Sequence, residues 1–218
     1  MLFRSGTIPA SVGGLAGRLS ATVSIDIPGV SISGDFGVSI NNLGREVNES
    51  MSLGDDETID LALPIGPFLK VEAVGAVIAI GGVTLRADVS FEKAATGEIV
   101  IAANNVSLDL GSDILRVTDG SGVFLITPAD VSTGTQGGLS GQFEVTVEVN
   151  IPGVTLEGVF ALKINQLPDP VVRDVELGGE TLSLDLPAGE FLAIELTAPA
   201  AGGTDVDGDS DEIGRAHV

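Results

Sequence analysis

The chain of 218 residues contains no cysteine, no tryptophan and no tyrosine, and its single histidine is His217. Without cysteine, neither a disulfide framework nor a thiolate metal site is available. Without an imidazole in the body of the chain, the usual general base and the commonest zinc ligand are missing. The lack of tryptophan and tyrosine argues against stacking platforms for sugars or bases. These absences predict that the chain is not an enzyme.

Basic residues are also scarce: 10 Lys and Arg stand against 31 Asp and Glu, a formal net charge of −21. Such a charge repels phosphate backbones and anionic lipid, so we expect no nucleic-acid partner and no membrane surface partner. The apolar run Ala73 to Leu85 is interrupted by glycines and is too short to cross a bilayer. We therefore expect no membrane insertion by this segment.

What the sequence does have is glycine, small residues and apolar side chains at every second position. Apolar residues alternate in this way from Leu19 to Ile27 and again from Val30 to Ile40, which predicts two half-buried strands. A two-residue turn at Pro28-Gly29 would make the strands antiparallel. The pairs would then be Ile27 with Val30, Ile25 with Ile32, Val23 with Gly34, and Ala21 with Phe36.

The same arrangement is expected around two further turns, with the pairs Val149–Leu156, Val145–Phe160, Ile78–Leu85 and Val74–Val89. The predicted fold is all-β, with antiparallel strands in a tandem-repeat sandwich or stacked sheets. Polar residues such as Ser24 and Ser33 should face solvent while the apolar face packs on a second sheet. Proline at the first turn position suits a tight hairpin poorly. A β-solenoid, with these sites as arches between sheets, is therefore the alternative.

An internal repeat organises the chain. Ile27-Pro28-Gly29-Val30 recurs as Ile151-Pro152-Gly153-Val154, an offset of 124 residues (151 − 27), and Asn41 falls on Asn165. After a one-residue slip, Leu63-Pro64 falls on Leu186-Pro187. This register predicts a tandem repeat. The expected division is an adapter-derived start plus the tail of a preceding repeat in 1–12, a complete repeat in 13–136, a partial second copy in 137–199, a Gly/Asp-rich linker in 200–211 and an adapter-derived tail in 212–218.

Both termini resemble translated sequencing-adapter sequence. The resemblance covers Leu2 to Ser5 at the start and Ile213 to Val218 at the end. We therefore expect these residues to be foreign to the protein and the reading frame to continue on both sides. On that expectation, the absence of a leader or an anchor says nothing about localisation.

Three stretches carry a resemblance to a known group of proteins: Asn105-Val106-Ser107-Leu108, Val117 to Phe124, and Leu139-Ser140-Gly141 leading to Ile151-Pro152-Gly153-Val154. They resemble the repeats of very large bacterial tandem-repeat proteins, over nearly the whole chain. The resemblance implies an exported, adhesin-like or calcium-binding surface protein, whose repeats carry no assigned chemistry. It implies an extracellular or cell-surface location and names no ligand.

One run has the spacing of a metal loop. Asp205, Asp207, Asp209 and Asp211 alternate around Gly208, as short acidic loops do when they wrap oxygen ligands about calcium. The glycine comes earlier than in an EF-hand-type loop, and no closing glutamate follows in register. A solvated acidic linker is therefore the favoured interpretation of the run, and calcium is the candidate cofactor if the run is ordered.

Other polar clusters have simpler interpretations. Asp55-Asp56-Glu57 and Asp169-Pro170 are interpreted as loop chemistry and not as a glycosidase carboxylate pair. Asn104-Asn105 and Asp119-Gly120 are interpreted as turn formers. Asn41 and Asn165 stand where strands end, so we expect each to cap a turn.

Three functions compete. The first is a structural or adhesive repeat module of a large secreted or surface protein, motivated by the repeats, the acidity and the missing catalytic side chains. Its partners would be further copies of the same repeat, with surface glycans or proteins as additional candidates. The second is a carbohydrate-binding module of a secreted multidomain enzyme, which would be expected to expose aromatic residues. The third, an enzyme fragment, would have to rely on carboxylate, lysine or serine chemistry alone.

Overall fold

The computed structural model describes residues 13–28, 30–54, 57–80, 83–110, 114–130, 134, 136–198 and 216–217. These residues form fourteen β-strands and no helix. The strands are β1 (Ala16–Ile27), β2 (Val30–Asn41), β3 (Val47–Gly54), β4 (Glu57–Leu63), β5 (Phe68–Ile80), β6 (Val83–Lys93), β7 (Ile99–Leu110), β8 (Leu115–Thr127), β9 (Gly138–Ile151), β10 (Val154–Asn165), β11 (Val171–Leu177), β12 (Glu180–Leu186), β13 (Phe191–Thr197) and β14 (Ala216–His217).

One large sheet contains ten of these strands, in the order β1-β2-β5-β6-β7-β8-β9-β10-β13-β14. All neighbouring strands in it are antiparallel. The other four strands form two separate hairpins. We call β3–β4 the first hairpin and β11–β12 the second hairpin. The antiparallel all-β prediction is confirmed.

The strand pairing around Pro28 follows the predicted register. Ile27 pairs with Val30, Ile25 with Ile32, and Ala21 with Phe36. The pairs Val149–Leu156, Val145–Phe160 and Ile78–Leu85 are also formed. The pair Val74–Val89 is wrong: Ala73 faces Val89, because the register shifts between Ala73 and Ala76. Since the strands on either side of each turn pair with each other in one sheet, the turns are hairpins and not the arches of a solenoid.

The sequence repeat is also a repeat of topology. Strands β1, β2 and β5 adjoin in the sheet, with the first hairpin inserted between β2 and β5, and β9, β10 and β13 adjoin with the second hairpin inserted between β10 and β13. The one-residue slip lies at the hairpin tips. Three residues separate Leu53 from Glu57 in the sequence, whereas only two glycines separate their counterparts Leu177 and Glu180. The slip therefore leaves the strands of the two units in step.

The second layer differs from the expected second sheet. Successive side chains of a strand point to opposite faces of the sheet. The two hairpins cover the face that carries Ser39 and Ser140, both buried. The opposite, apolar face is left partly open, with Ile25 45%, Leu85 36% and Leu156 58% exposed. The expectation that the apolar face packs on a second sheet of this chain is wrong for the described residues. The pattern of β1 and β2 misled it, because the covered face is largely polar on these strands and is most apolar on β7 and β8, at Val100, Ala102, Val123 and Leu125.

A band of β-bulges crosses the sheet, and the predicted turn formers lie in it. The register shifts next to Asp88 in β6, between Ala103 and Val106 in β7, and between Thr118 and Ser121 in β8. Asn105 and Asp119 have positive φ angles of 52° and 56°, a conformation that asparagine and aspartate tolerate better than most residues. The prediction that Asn104-Asn105 and Asp119-Gly120 form turns is therefore wrong. They supply the bulges of continuous strands.

Candidate functional site

The most elaborate contact between elements is the place where the second hairpin lies on β7 and β8. We call the β7–β8 surface beneath it the hairpin seat. The seat consists of four buried side chains, Val100, Ala102, Val123 and Leu125. The hairpin side chains that pack on it are Val171, Leu177, Leu184 and Leu186. Leu184 and Leu186 are 0% exposed. Burial of this apolar area is the main force that holds the hairpin on the sheet.

A buried asparagine fastens the base of the hairpin. The side-chain amide of Asn165 donates to the carbonyl oxygens of Asp169 (3.0 Å) and Pro187 (2.9 Å), one on each side of the hairpin. Its Oδ1 accepts from the Leu167 amide at 2.9 Å and from the Ser140 hydroxyl at 2.8 Å. Because the two carbonyls belong to the chain entering and leaving the hairpin, one side chain fixes the angle at which the hairpin leaves the sheet.

The tip of the hairpin rests on the band of bulges. Asn104 donates from Nδ2 to Oε2 of Glu180 at 2.6 Å. Asp88, only 6% exposed, accepts from the Gly75 amide at 2.5 Å and from Asn105 Nδ2 at 2.7 Å. Its carboxylate thus links the bulges of β5 and β7, which flank β6.

The turn of the hairpin comes close to the same carboxylate. A Cβ added at Gly178 would lie 3.2 Å from Asp88 Oδ2, and the φ angles of Gly178 and Gly179 are +62° and +84°. A two-residue turn with both φ angles positive favours glycine. The two glycines therefore allow both the tight turn and its close approach to Asp88.

Polar contacts hold both sides of the hairpin. Arg173 Nη2 lies 3.0 Å from Glu98 Oε1 on the β7 side. On the other side, Gln142 Nε2 donates to the Ser183 carbonyl at 2.6 Å. An open cleft of about 260 Å³ runs along this second side, and Glu144 and Lys163 are among its lining residues. Base, tip and both sides are therefore each held by a specific contact.

The first hairpin has the same base but a different environment further out. Asn41 donates to the carbonyls of Arg45 (2.8 Å) and Pro64 (2.6 Å), and its Oδ1 accepts from the Leu43 amide at 2.9 Å. The expectation that both asparagines organise the end of a strand is confirmed. Val47, Leu63 and Phe68 are buried at this base. Beyond it, Met51 is 62% and Ile59 51% exposed.

The residues predicted to bind metal, Asp205, Asp207, Asp209 and Asp211, lie outside the described residues, as do Asp55 and Asp56. Asp169 lies in the loop before β11 and contributes its carbonyl to the Asn165 contact. Among the residues that the structure describes, no group of three or more His, Cys, Asp or Glu is arranged to hold a metal ion. The contacts at the hairpin seat are apolar packing, hydrogen bonds and an ion pair.

Sequence reasoning missed Asp88, Glu180 and the hairpin seat as a unit. Asp88 stands in the alternating run of β6 as an ordinary solvent-face residue, and only its bulged neighbours turn their donors toward it. The seat joins β7 and β8 to β11 and β12, which come much later in the chain, and such non-local contacts leave no local pattern in the sequence. The one available signal was the repeat itself, which aligns Val171 with Val47 and Leu186 with Leu63.

Comparisons of the chain with protein-family models, with curated proteins and with solved structures found no match. A search of the described residues for a helix long and apolar enough to cross a membrane found none.

Proposed function

We propose that this chain is a structural or adhesive repeat module of a large secreted or cell-surface protein, without catalytic activity of its own. The observation that carries the proposal is the recurrence of one unit within one sheet. Strands β1, β2 and β5 and strands β9, β10 and β13 occupy equivalent places, and β6, β7 and β8 connect them. Further copies can add strands to the same sheet, which is how repeat proteins grow in one direction.

Charge and surface support the same proposal. The net charge of −21 keeps a strand-rich protein soluble in spite of its exposed backbone edge. The open apolar face supports the adhesive form of the proposal, since a contiguous exposed apolar area marks an interaction surface. Calcium at Asp205, Asp207, Asp209 and Asp211 belongs to the proposal as the candidate cofactor.

The experiment is a length measurement by small-angle X-ray scattering on chains with one, two or three additional copies of residues 13–136. Each copy contributes six strands to the sheet, and neighbouring strands lie roughly 4.8 Å apart, so each copy should lengthen the particle by about 29 Å. A constant increment would support one continuous growing sheet. Scattering from separate bodies on flexible connections would contradict the proposal.

A further inference from the structure

We propose that the first hairpin and the free edge of β1 form a docking surface for the β7–β8 strands of a preceding copy of this repeat. The docking would reproduce the contact that the second hairpin and β9 make with β7 and β8 in this chain. The proposal rests on the proposed function, because it requires that copies adjoin in one polypeptide.

The exposed face of the first hairpin is the first observation. At the offset of the repeat, Met51 corresponds to Val175, Ile59 to Leu182 and Leu61 to Leu184. The second-hairpin residues pack in the hairpin seat, and Leu184 is 0% exposed. In the first hairpin Leu61 is partly buried, but Met51 is 62% and Ile59 51% exposed. Apolar residues are thus kept at two positions that the described part of the chain leaves uncovered.

The edge of β1 is the second observation. Its counterpart β9 pairs with β8 on one side and β10 on the other. In the described part of the chain, β1 pairs only with β2. An unpaired edge strand presents a row of free N–H and C=O groups to any strand of matching register. The register follows from β9: Ile25 of β1 would face the counterpart of Leu115, because Val149 faces Leu115.

Two glycines, one in β1 and one just before it, are the third observation. A Cβ added to Gly141 would meet the Phe124 ring of β8 at 2.2 Å, so this position must be glycine. Its counterpart Gly17 has nothing within 4 Å. Gly137 is likewise crowded by Ala129 N at 2.5 Å, whereas its counterpart Gly13 is open. Gly17 of β1 and Gly13 before it therefore leave room for an aromatic ring and a chain segment that belong to a preceding β8.

These observations specify the occupant. It must present small apolar side chains at the counterparts of Val100, Ala102 and Val123, and an aromatic ring at the counterpart of Phe124. The repeat itself meets both requirements. One position adds charge specificity: Glu49 takes the place of Arg173, which contacts Glu98 at 3.0 Å. A preceding copy with a basic residue at that point would fit this hairpin best.

The test uses the chain extended by a further copy of residues 13–136 placed before Gly13. Because the protein has no cysteine, Met51→Cys in the downstream first hairpin gives a single reactive thiol. In the 218-residue chain this thiol should react rapidly with a maleimide. In the extended chain its reaction rate should fall by about tenfold or more, because the thiol becomes reactive only when the hairpin opens.

Matched controls separate docking from other effects. Val175→Cys in the 218-residue chain sets the rate of a docked hairpin, and Ser52→Cys, on the exposed back of the first hairpin, should react rapidly in both chains. Glu98→Lys in the added copy should slow labelling at position 51 further, since it places a cation beside Glu49. Gly17→Ala should lower the thermal midpoint of the extended chain more than that of the 218-residue chain.

Equal labelling at position 51 in the two chains would overturn the docking proposal. If the extended chain then still shows the expected length increment, the proposed function stands and only the docking fails. If neither slow labelling nor the increment is found, both fail.

Discussion

Asn41 and Asn165 are single side chains that each hold three backbone groups, and both are 0% exposed. A buried carbonyl that loses its donor keeps its full desolvation cost, so such residues matter more than an average hydrogen bond. The two sites differ in one respect. Ser140 donates to Asn165, whereas its counterpart in the first unit is Ala16, which has no hydroxyl group.

Replacement of these asparagines gives the prediction at the residue scale. Asn165→Ala should lower the free energy of unfolding by about 1–3 kcal/mol, since two carbonyls, an amide and a hydroxyl lose their partner. Asn41→Ala should lower it as well, by less, because no hydroxyl is left unpaired there. Urea unfolding measures both, with the exposed Asn48→Ala as control. A loss no larger than that of the control would show that water replaces the hydrogen bonds of the asparagine side chain.

The asparagines also show what could be predicted about single residues. Their matched positions in the two copies and their place at strand ends predicted a turn-capping role correctly. Asn105 and Asp119 misled the same reasoning, since their tolerance of positive φ serves bulges as well as turns. Residue type alone does not distinguish the two, because both require the same backbone conformation.

The two hairpins have related sequences and different surroundings. The second hairpin covers Val100, Ala102, Val123 and Leu125. The first hairpin contacts β1 and β2 through β4. The difference lies in what adjoins them: β9 has β8 on its outer side, and β1 has no described strand there. Alternation along β11 and β12 predicts one apolar face, but only the neighbouring strand decides whether that face is buried.

A matched pair of leucines gives the prediction at this scale. Leu184→Ala should lower the free energy of unfolding by about 2–5 kcal/mol, because it empties space in a closed cluster. The counterpart substitution, Leu61→Ala, should lower it clearly less, since Leu61 is only partly buried at its present position. Chemical denaturation of both variants gives the comparison. Equal losses would mean that the first hairpin is as well covered as the second.

At the scale of the whole molecule, the repeat places two equivalent groups of strands in one sheet. Contacts within it are mainly between neighbours in sequence, since β5, β6, β7, β8, β9 and β10 follow one another in both chain and sheet. The two hairpins are the exception, because each reaches across to another part of the sheet. Stability of this chain should therefore depend on the contacts between units as well as on each unit.

The acidic run gives the prediction for the whole molecule. If the run is a calcium site and not the solvated linker that its register favours, calorimetry should show stoichiometric calcium binding to the full chain, with a Kd in roughly the 10⁻⁴ to 10⁻³ M range of extracellular modules. The full chain with Asp205, Asp207, Asp209 and Asp211 all changed to asparagine should not bind. Magnesium serves as the control ion, because it demands a smaller and more regular ligand shell. Unchanged binding by the substituted chain would assign the ion to another place.

The sequence by itself determined the strands, the register of the hairpins around Pro28 and Pro152, and the repeat. These features depend on the alternation of apolar residues and on short turns, and both are determined by residues close together in the sequence. Only the tertiary structure decided that the hairpins cover the Ser39 face and that Asp88 links two bulges. It also decided that an aromatic ring occupies the space beside Gly141 but not the space beside Gly17. Each of these depends on residues that are distant in sequence, and their meeting is set by how strands stack across the sheet.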